Sequence, residues 1–457
     1  MTVSTRKKKT KKKKRRNKTA LFAGVLCGVL LIGTLVMVLL TAAQRNGMAG
    51  QDNSQAEDAT GRKTGQAEDA AQDSEAAKAQ SIRTSIADAE QSLLSDIMSE
   101  TPEREEETET ESAGRYDALL ADTDFMKANR IYAKETASGE QTVLAFAGDI
   151  LFDPNYAVMA RLLARGGGIE EAFSEELLAR MRGADLFMVN NEFPYSNRGV
   201  PTEGKQFTFR AKPESASYLE EMGVDIVSLA NNHASDYGEV SLLDTLDLLE
   251  EMEMPYVGAG RNLEEAKKPA CFVMNDKRIA IVSATQIERN DNPDTRGAGE
   301  TTPGTFRCWN PDNLLAEIKE AKEDNDIVIV YIHWGTENEE QTDWAQRDQA
   351  AMIAEAGADL IIGDHPHCLQ PVGYVGDVPV IYSLGNFWFN SRTLDTCLVE
   401  VTIPAEGEMT VRVLPAKQSD CRTQLLDGAE AQRVIGYLNS ISETGVLDEN
   451  GVLSKRQ

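Results

Sequence analysis

Four histidines occur in this chain of 457 residues, and each follows an apolar run: His233, His333, His365 and His367. The last two sit in ADLIIGDHPHCLQP, residues 358–371, where Pro366 fixes its own φ and restricts His365 toward extended backbone. A bent, stiff backbone of that kind aims two imidazoles at one point, which suits a metal better than a core. Other strand-like runs also end in residues that strands do not need. VLAFAG runs into Asp149, DLFMV into Asn190, Asn191 and Glu192, VDIVSLA into Asn231, Asn232 and His233, IVIVYI into His333, and VPVIYSLG into Asn386. Singly, each has a plain structural explanation, since Asp and Asn cap turns and a histidine can bond to backbone. Together they form a mixed oxygen and nitrogen donor set without thiolates, suited to Mn, Fe or Zn as one ion or as a carboxylate-bridged pair. Such cations lower the pKa of a bound water and clamp the oxygens of a phosphoryl group or another hydrolysable ester, while an imidazole outside the coordination set can protonate the leaving group. Lys205 and Arg210, on the loop after Glu192, are candidate anion contacts, and with Asn191 and Asn386 they make up the expected substrate-binding set. Trp334, Phe387, Trp388 and Phe389 either wall the pocket or fill the core. Cys368, beside His367, is expected to turn into the core.

The elements that must position these groups are legible from Gln141 onward. Residues 143–148, 185–190, 224–230, 278–285, 327–335, 359–365 and 378–386 read as buried strands. Between them Ile169 to Met181, Pro213 to Met222, Val240 to Met252, Pro311 to Glu323 and Asp343 to Ala356 read as amphipathic helices. That alternation predicts an α/β domain with a largely parallel or mixed sheet, whose carboxyl edge is where ligands bind. A hairpin is expected around Asn275 and Asp276, an antiparallel pair from CLVEVTI and MTVRVLP, and a surface helix over 427–440 packing by Val434, Ile435 and Leu438.

The amino end is unlike the rest. Residues 1–18 carry eleven Lys or Arg and no acid, and from Thr19 to Gln44 there is no charge at all, with Leu21 to Leu40 apolar over the length that spans a bilayer. With the basic residues on its amino side, residues 19–44 are expected to be a single transmembrane helix, 1–18 a cytoplasmic tail, and the remainder extracytoplasmic. A cleaved signal peptide is the rival, with Ala42 and Ala43 resembling a cleavage site, but its apolar stretch is normally shorter. Residues 45–135, rich in Ala, Gln, Glu, Asp and Ser, read as an acidic disordered stalk in which only Ile82 to Met98 offers a helical apolar face. Setting the twelve amino-terminal positive charges, Arg45 included, against the net −27 leaves −39 on residues 51–457, which excludes nucleic-acid binding through the surface field. Beyond the span lie five scattered cysteines, an odd number with no CxxC pair, which allows one bridge and argues against a cysteine zinc site.

The series GDI (148–150), NNEFP (190–194), LANNHASDYG (229–238), HWGTE (333–337), GDHPH (363–367) and YSLGNFWF (382–389) closely resembles the CapA, or poly-γ-glutamate capsule-synthesis, family, over Val143 to about Lys417. That family looks like a branch of the calcineurin-like metallophosphoesterases, which implies a four-layer αββα sandwich of two mixed sheets. Here it would occupy 136–417, followed by a C-terminal helical segment over 418–457. The resemblance implies Asp149, Glu192, Asn232, His333, His365 and His367 as ligands of one or two divalent ions, with Glu192 at the bridging position, and His233 as general acid. Two departures stand out: Leu151 where phosphoesterases generally carry a histidine, and Glu192 for the usual bridging aspartate. The implied partners are the membrane, an anionic polymer (poly-γ-glutamate) or a phosphorylated intermediate, and other capsule-synthesis membrane proteins. Two functions fit: a membrane-anchored metal-dependent hydrolase or transferase of the phosphoesterase type, or a non-catalytic component that helps assemble or export the polymer.

Overall fold

A computed structural model describes residues 114–288 and 295–457. In chain order its strands are β1 (Ile131–Ala133), β2 (Gln141–Ile150), β3 (Leu186–Asn191), β4 (Ile226–Ser228), β5 (Tyr256–Val257), β6 (Ala259–Gly260), β7 (Ala270–Met274), β8 (Lys277–Thr285), β9 (Gly304–Thr305), β10 (Ile327–His333), β11 (Leu360–Asp364), β12 (Val372–Val375), β13 (Val378–Ile381), β14 (Asn386–Trp388), β15 (Leu394–Pro404), β16 (Thr410–Ser419), β17 (Arg422–Leu425), β18 (Gly445–Leu447) and β19 (Leu453–Lys455). One sheet has the order β1-β7-β8-β10-β11-β13-β12, the other β17-β16-β15-β2-β3-β4-β5 with β14 beside β2. Both are mixed. In the first, β8, β10, β11 and β13 run parallel; in the second, β2 to β5 do, while β15, β16 and β17 are antiparallel.

The two sheets pack face to face because alternate residues of each strand point to opposite faces and both faces are covered. Phe146 and Met188 from one sheet meet Ile281, Ile329, Tyr331 and Ile362 from the other in a shared inner core. Their outward neighbours Val189 and Val227 meet Leu162, Leu177 and Leu246 of the helices Ala157–Ala164, Glu175–Gly183 and Glu239–Glu251. On the far side Val282, Val330 and Ile361 meet Leu314, Ile318 and Ile353 of the helices Asp312–Asp324 and Trp344–Ala356. These side chains are essentially fully buried, and each contributes about 2 kcal/mol by leaving water.

Local signals explain several boundaries. Asp343 accepts from Gln346 N at 2.9 Å while the Gln346 side chain accepts from Asp343 N, a capping box that starts its helix. Asn275 and Asp276 both take positive φ, 46° and 55°, which turns β7 into β8. The helix expected over 169–181 is broken: a 3-10 turn, Ile169–Glu171, precedes a helix that begins at Glu175, where Ser174 caps Leu177 N.

Two expected boundaries shift. Residues 114–133, assigned to the stalk, are folded: the short helices Asp117–Leu120 and Thr123–Ala128 lead into β1, which extends the seven-stranded sheet beside β7. Their acidic composition hides Tyr116, Leu119, Leu120 and Met126, which pack on the outer core. Past residue 417 the chain is not simply helical: β17 completes the eight-stranded sheet, and the helix Gly428–Ile441 docks by Val434, Ile435 and Leu438 on the inner core. The basic tail, the expected span at 19–44 and the stalk up to residue 113 lie outside the described residues. Among the described residues, no helix is long and apolar enough to cross a bilayer. Cys271, Cys308, Cys368, Cys397 and Cys421 are all free thiols.

Candidate metal centre

The parallel strands of the two sheets end at a common seam. There β2 delivers Asp149, β3 delivers Asn190 and Asn191 with Glu192 just beyond, and the turn after β4 delivers Asn231, Asn232 and His233. From the other sheet β10 ends at His333 and β11 at Asp364, with His365 and His367 immediately after. Inter-sheet hydrogen bonds close the seam: Tyr331 Oη donates to Ala147 O at 2.8 Å, and Ser228 Oγ meets Ser283 Oγ at 2.8 Å. A Cβ on Gly148 would lie 2.0 Å from the Gly385 carbonyl oxygen, so only glycine lets the strand bearing Asp149 come this close. His365 and His367 have φ of 93° and 58°. The extended backbone expected at His365 is therefore replaced by the left-handed region, a conformation that non-glycine residues adopt only when the surroundings hold it.

Ligand atoms converge in three overlapping sets, each within 4.8 Å: Glu192, His333 and His365; Asp149, Glu192 and His367; Asp149, His333 and Asp364. Glu192 is fully buried, and neither carboxylate oxygen has a hydrogen-bond partner. Its Oε1 instead faces His333 Nε2 at 3.7 Å and His233 Nε2 at 3.9 Å. His333 Nδ1 lies 3.0 Å from Asp364 Oδ1, and with its proton directed there Nε2 presents a lone pair. That lone pair faces Asn232 Oδ1 at 2.9 Å and the His365 ring nitrogen at 3.0 Å. A buried carboxylate without a hydrogen-bond partner, faced by imidazole nitrogens at 3.7 and 3.9 Å, is costly unless a cation sits among them. The donor set present thus fits a divalent metal, and Asp149, Glu192 and His333 each belong to two of the three sets.

Electrostatics point the same way. Burial, then the neighbouring Asp149, Asp364 and Glu337 charges, hold the Glu192 carboxyl well above the usual range, and burial with Asp149 does the same to Asp364. Burial also opposes ionisation of Asp149, yet the His367 hydrogen bond at 3.0 Å outweighs it and leaves Asp149 lowered. On His367, burial likewise acts against the charge, but Asp149 prevails and raises it. Burial pushes His333 well below the ordinary imidazole value.

His233 stands beside this centre. Its Nδ1 lies 2.7 Å from Asp236 Oδ2, which leaves Nε2 toward Glu192, and its ring packs on Phe209 at 4.2 Å between centroids. Burial lowers its pKa, with Asp236 acting in the opposite direction.

The seam gathers Asp149, Glu192, Asn232, His233, His333, His365 and His367. Asn386 Oδ1 lies 2.9 Å from His367 Nδ1. Asn191 turns its amide to Phe193 O at 2.6 Å, leaving a buried Oδ1 without a partner. The two expected cationic contacts are spent elsewhere. Lys205 Nζ is paired with Asp236 at 2.6 Å and hydrogen-bonded to the Asn232 carbonyl, so it holds the loop that carries His233. The Arg210 guanidinium lies over the Tyr237 ring at 4.0 Å. Cys368 is half-buried with its thiol toward Glu339 O, not in the core. Trp334, Phe387 and Trp388 are core residues, whereas Phe389 stacks on His367 at 4.9 Å. Leu151 is buried in the helix-side core.

Sequence reasoning placed Asn190 at a strand end without a specific role and missed Asp236. Asn190 donates to Asp149 at 2.8 Å and accepts from Asn231 at 2.9 Å, which ties two strand ends together. Asp236 serves His233, Lys205 and Phe209 N; its position three residues after a histidine was the available signal.

Residues 143–391 match the family described as bacterial capsule synthesis protein PGA_cap. The PGA biosynthesis protein CapA of Bacillus subtilis is 33% identical over 51% of this chain and 62% of its own length, so the match spans about three fifths of that relative. The capsule biosynthesis protein CapA of Bacillus anthracis is 28% identical over 72% of this chain and 80% of its own. A probable polyglutamine synthesis accessory protein of Mycobacterium tuberculosis is 26% identical over 56% and 72% respectively. A crystal structure of TT1561 from Thermus thermophilus aligns over 58% of this chain and all of its own at 11% identity and a TM-score of 0.33, a likeness that decides nothing.

Proposed function

From a chain that belongs to the PGA_cap, or CapA, family of bacterial capsule synthesis proteins, we propose a metal-dependent hydrolase or transferase that acts in making poly-γ-glutamate, on the polymer or on a phosphorylated intermediate. The carrying observation is the buried Glu192 carboxylate, without a hydrogen-bond partner, inside a ring of imidazoles. Asp149, Glu192, His333, His365 and His367, with Asn232, would hold one or two ions of the Mn, Fe or Zn class. Bound there, the metal supplies Lewis acidity and a more acidic water. Asp149 and Asn190 fix the oxygen donors to the strand ends. Asp364 fixes the His333 tautomer, and Asp236 that of His233. His233 Nε2 takes a proton from the attacking group and returns it to the departing oxygen or nitrogen. Phe209 and Phe389, packed on His233 and His367, keep bulk water from those rings. The same proposal puts residues 19–44 in the cell membrane with the amino end cytoplasmic and the folded domain outside, next to other capsule-synthesis proteins.

A second reading is favoured by one observation: Leu151 is core, so no imidazole stands at that position and the pocket would grip carboxylates through its cation without turnover. One experiment separates the two. The full-length protein is analysed for metal and assayed on phosphoesters and γ-glutamyl amides, beside the His365→Ala/His367→Ala double variant. Retained metal with turnover, both lost in the variant, supports catalysis. Metal without turnover supports the grip, and no metal removes both.

A further inference from the structure

A cavity of about 470 Å³ opens beside the metal centre and reaches it through Asn232 and His365. Its outer wall is two tryptophans that a chain of this kind would ordinarily bury: Trp309 is 49% exposed and Trp344 63%. Their rings stand at 86° with centroids 6.3 Å apart, forming a corner and not a slot, so no flat ring slides between them. Both are held in place. Gln349 Nε2 donates to Cys308 O and Trp309 O at 2.8 and 3.4 Å, and Trp344 is the first residue of the helix that Asp343 caps.

The rest of the lining specifies charge. Glu337 is exposed and, among the described residues, has no ion pair; Asp343 is occupied in its cap and with Thr336, and Glu288 faces Arg307 at 3.5 Å. Residues 337–343 contain four acids and no base. Gln286 lies at the inner end, 3% exposed, its Oε1 accepting from Gly335 N at 3.2 Å and its backbone N donating to His333 O. That leaves Gln286 Nε2 as a buried donor with no partner, on the cavity lining. A buried amide in this state calls for an acceptor on a ligand.

We infer that this cavity is the subsite for the free amino end of a γ-glutamyl chain, an inference that rests on the substrate class proposed above. Indole faces with an unspent carboxylate recognise an ammonium. In a γ-linked polymer every internal amino group is tied up in an amide, so only the terminal residue carries that charge. The α-carboxylate next to it meets Gln286 Nε2, and its first amide carbonyl then extends toward Asn232 and His365. The acidic mouth repels the interior carboxylates and admits the one cationic end.

The test is tryptophan-fluorescence titration of the full-length protein with γ-glutamyl-glutamate, its N-acetyl derivative and propylamine. The free dipeptide and propylamine quench, N-acetylation weakens dipeptide binding at least tenfold, and Trp344→Ala and Glu337→Gln each weaken it about tenfold while metal content stays constant. Equal binding of the acetylated dipeptide, or quenching by methyl glucoside in place of the amine, overturns the inference. Metal analysis runs in parallel: loss of the metal reading with discrimination intact removes the proposed chemistry and keeps the subsite, whereas metal-loaded protein without discrimination does the reverse. Propylamine quenching with none from the dipeptide overturns the γ-glutamyl assignment.

Discussion

The eight-stranded sheet brings oxygens to the seam and the seven-stranded sheet brings imidazoles. Asp149, Glu192 and Asn232 come from the first, His333, His365 and His367 from the second, and only His233 and Asp364 cross that division. On the oxygen side Asp149 and Asn190 are hydrogen-bonded while Glu192 is not; on the nitrogen side His333 Nε2 lies within 3.0 Å of Asn232 Oδ1 and of the His365 ring nitrogen. Neither edge is a metal site by itself. Each is a half-site whose unfavourable electrostatics would be relieved by an ion held by both halves.

The strongest way to break that comparison is Glu192→Gln. Metal retention, read by elemental analysis after dialysis, is expected to fall at least ~100-fold. At pH 8 the metal-free variant should nonetheless be more stable than metal-free wild type, by about 1–3 kcal/mol in denaturant unfolding, because the amide removes the cost of keeping a buried carboxyl protonated where its unfolded counterpart is ionised. A stability loss there would mean that Glu192 is satisfied by protein alone. Asp236→Asn sharpens the division between holding and reacting. It keeps the metal but upsets the His233 tautomer, with kcat on any ester the wild type hydrolyses down about 100-fold and the acid limb of the pH profile displaced. An unchanged profile would leave Asp236 a mere loop anchor. Gly148→Ala attacks the seam while sparing every donor: the added Cβ meets the Gly385 carbonyl, costing about 1–3 kcal/mol and weakening metal binding. Last is pH. Glu192 and Asp364 hold protons above the usual carboxylate range, so the metal-free fold loses stability as pH climbs past their unfolded values and through their raised folded ones, and a metal must displace those protons. The rise in Tm on adding metal should therefore be larger at pH 8 than at pH 5.5; a gain independent of pH would place the ion away from these carboxylates.

Much of this was legible in the chain because strands buried on both faces read as unbroken apolar runs, so a polar residue at the end of one stands out. Asp149, Glu192, His333 and the HPH pair were found that way. What stayed hidden depends on direction, which composition does not carry. Lys205 and Arg210 look like anion contacts in a loop, but one is bound to Asp236 and the other lies on Tyr237. Residues 114–133 read as stalk because a few apolar side chains are diluted among acids, yet those few suffice to add an edge strand. The tryptophan corner was invisible for a similar reason: Trp309 and Trp344 are 35 positions apart in the sequence and meet only through the packing of two helices and a loop.

The pairing of β2 with β15 bears on how the molecule is made. Phe146, three positions before Asp149, lies opposite Val399, about 250 residues later in the chain. Synthesised from its amino end, the chain presents Asp149 and Glu192 long before the strand that finishes their sheet has been made. The seam between the two half-sites is thereby completed only at the close of folding, and a product that stops short of β15 lacks the strand that holds Asp149 in its sheet.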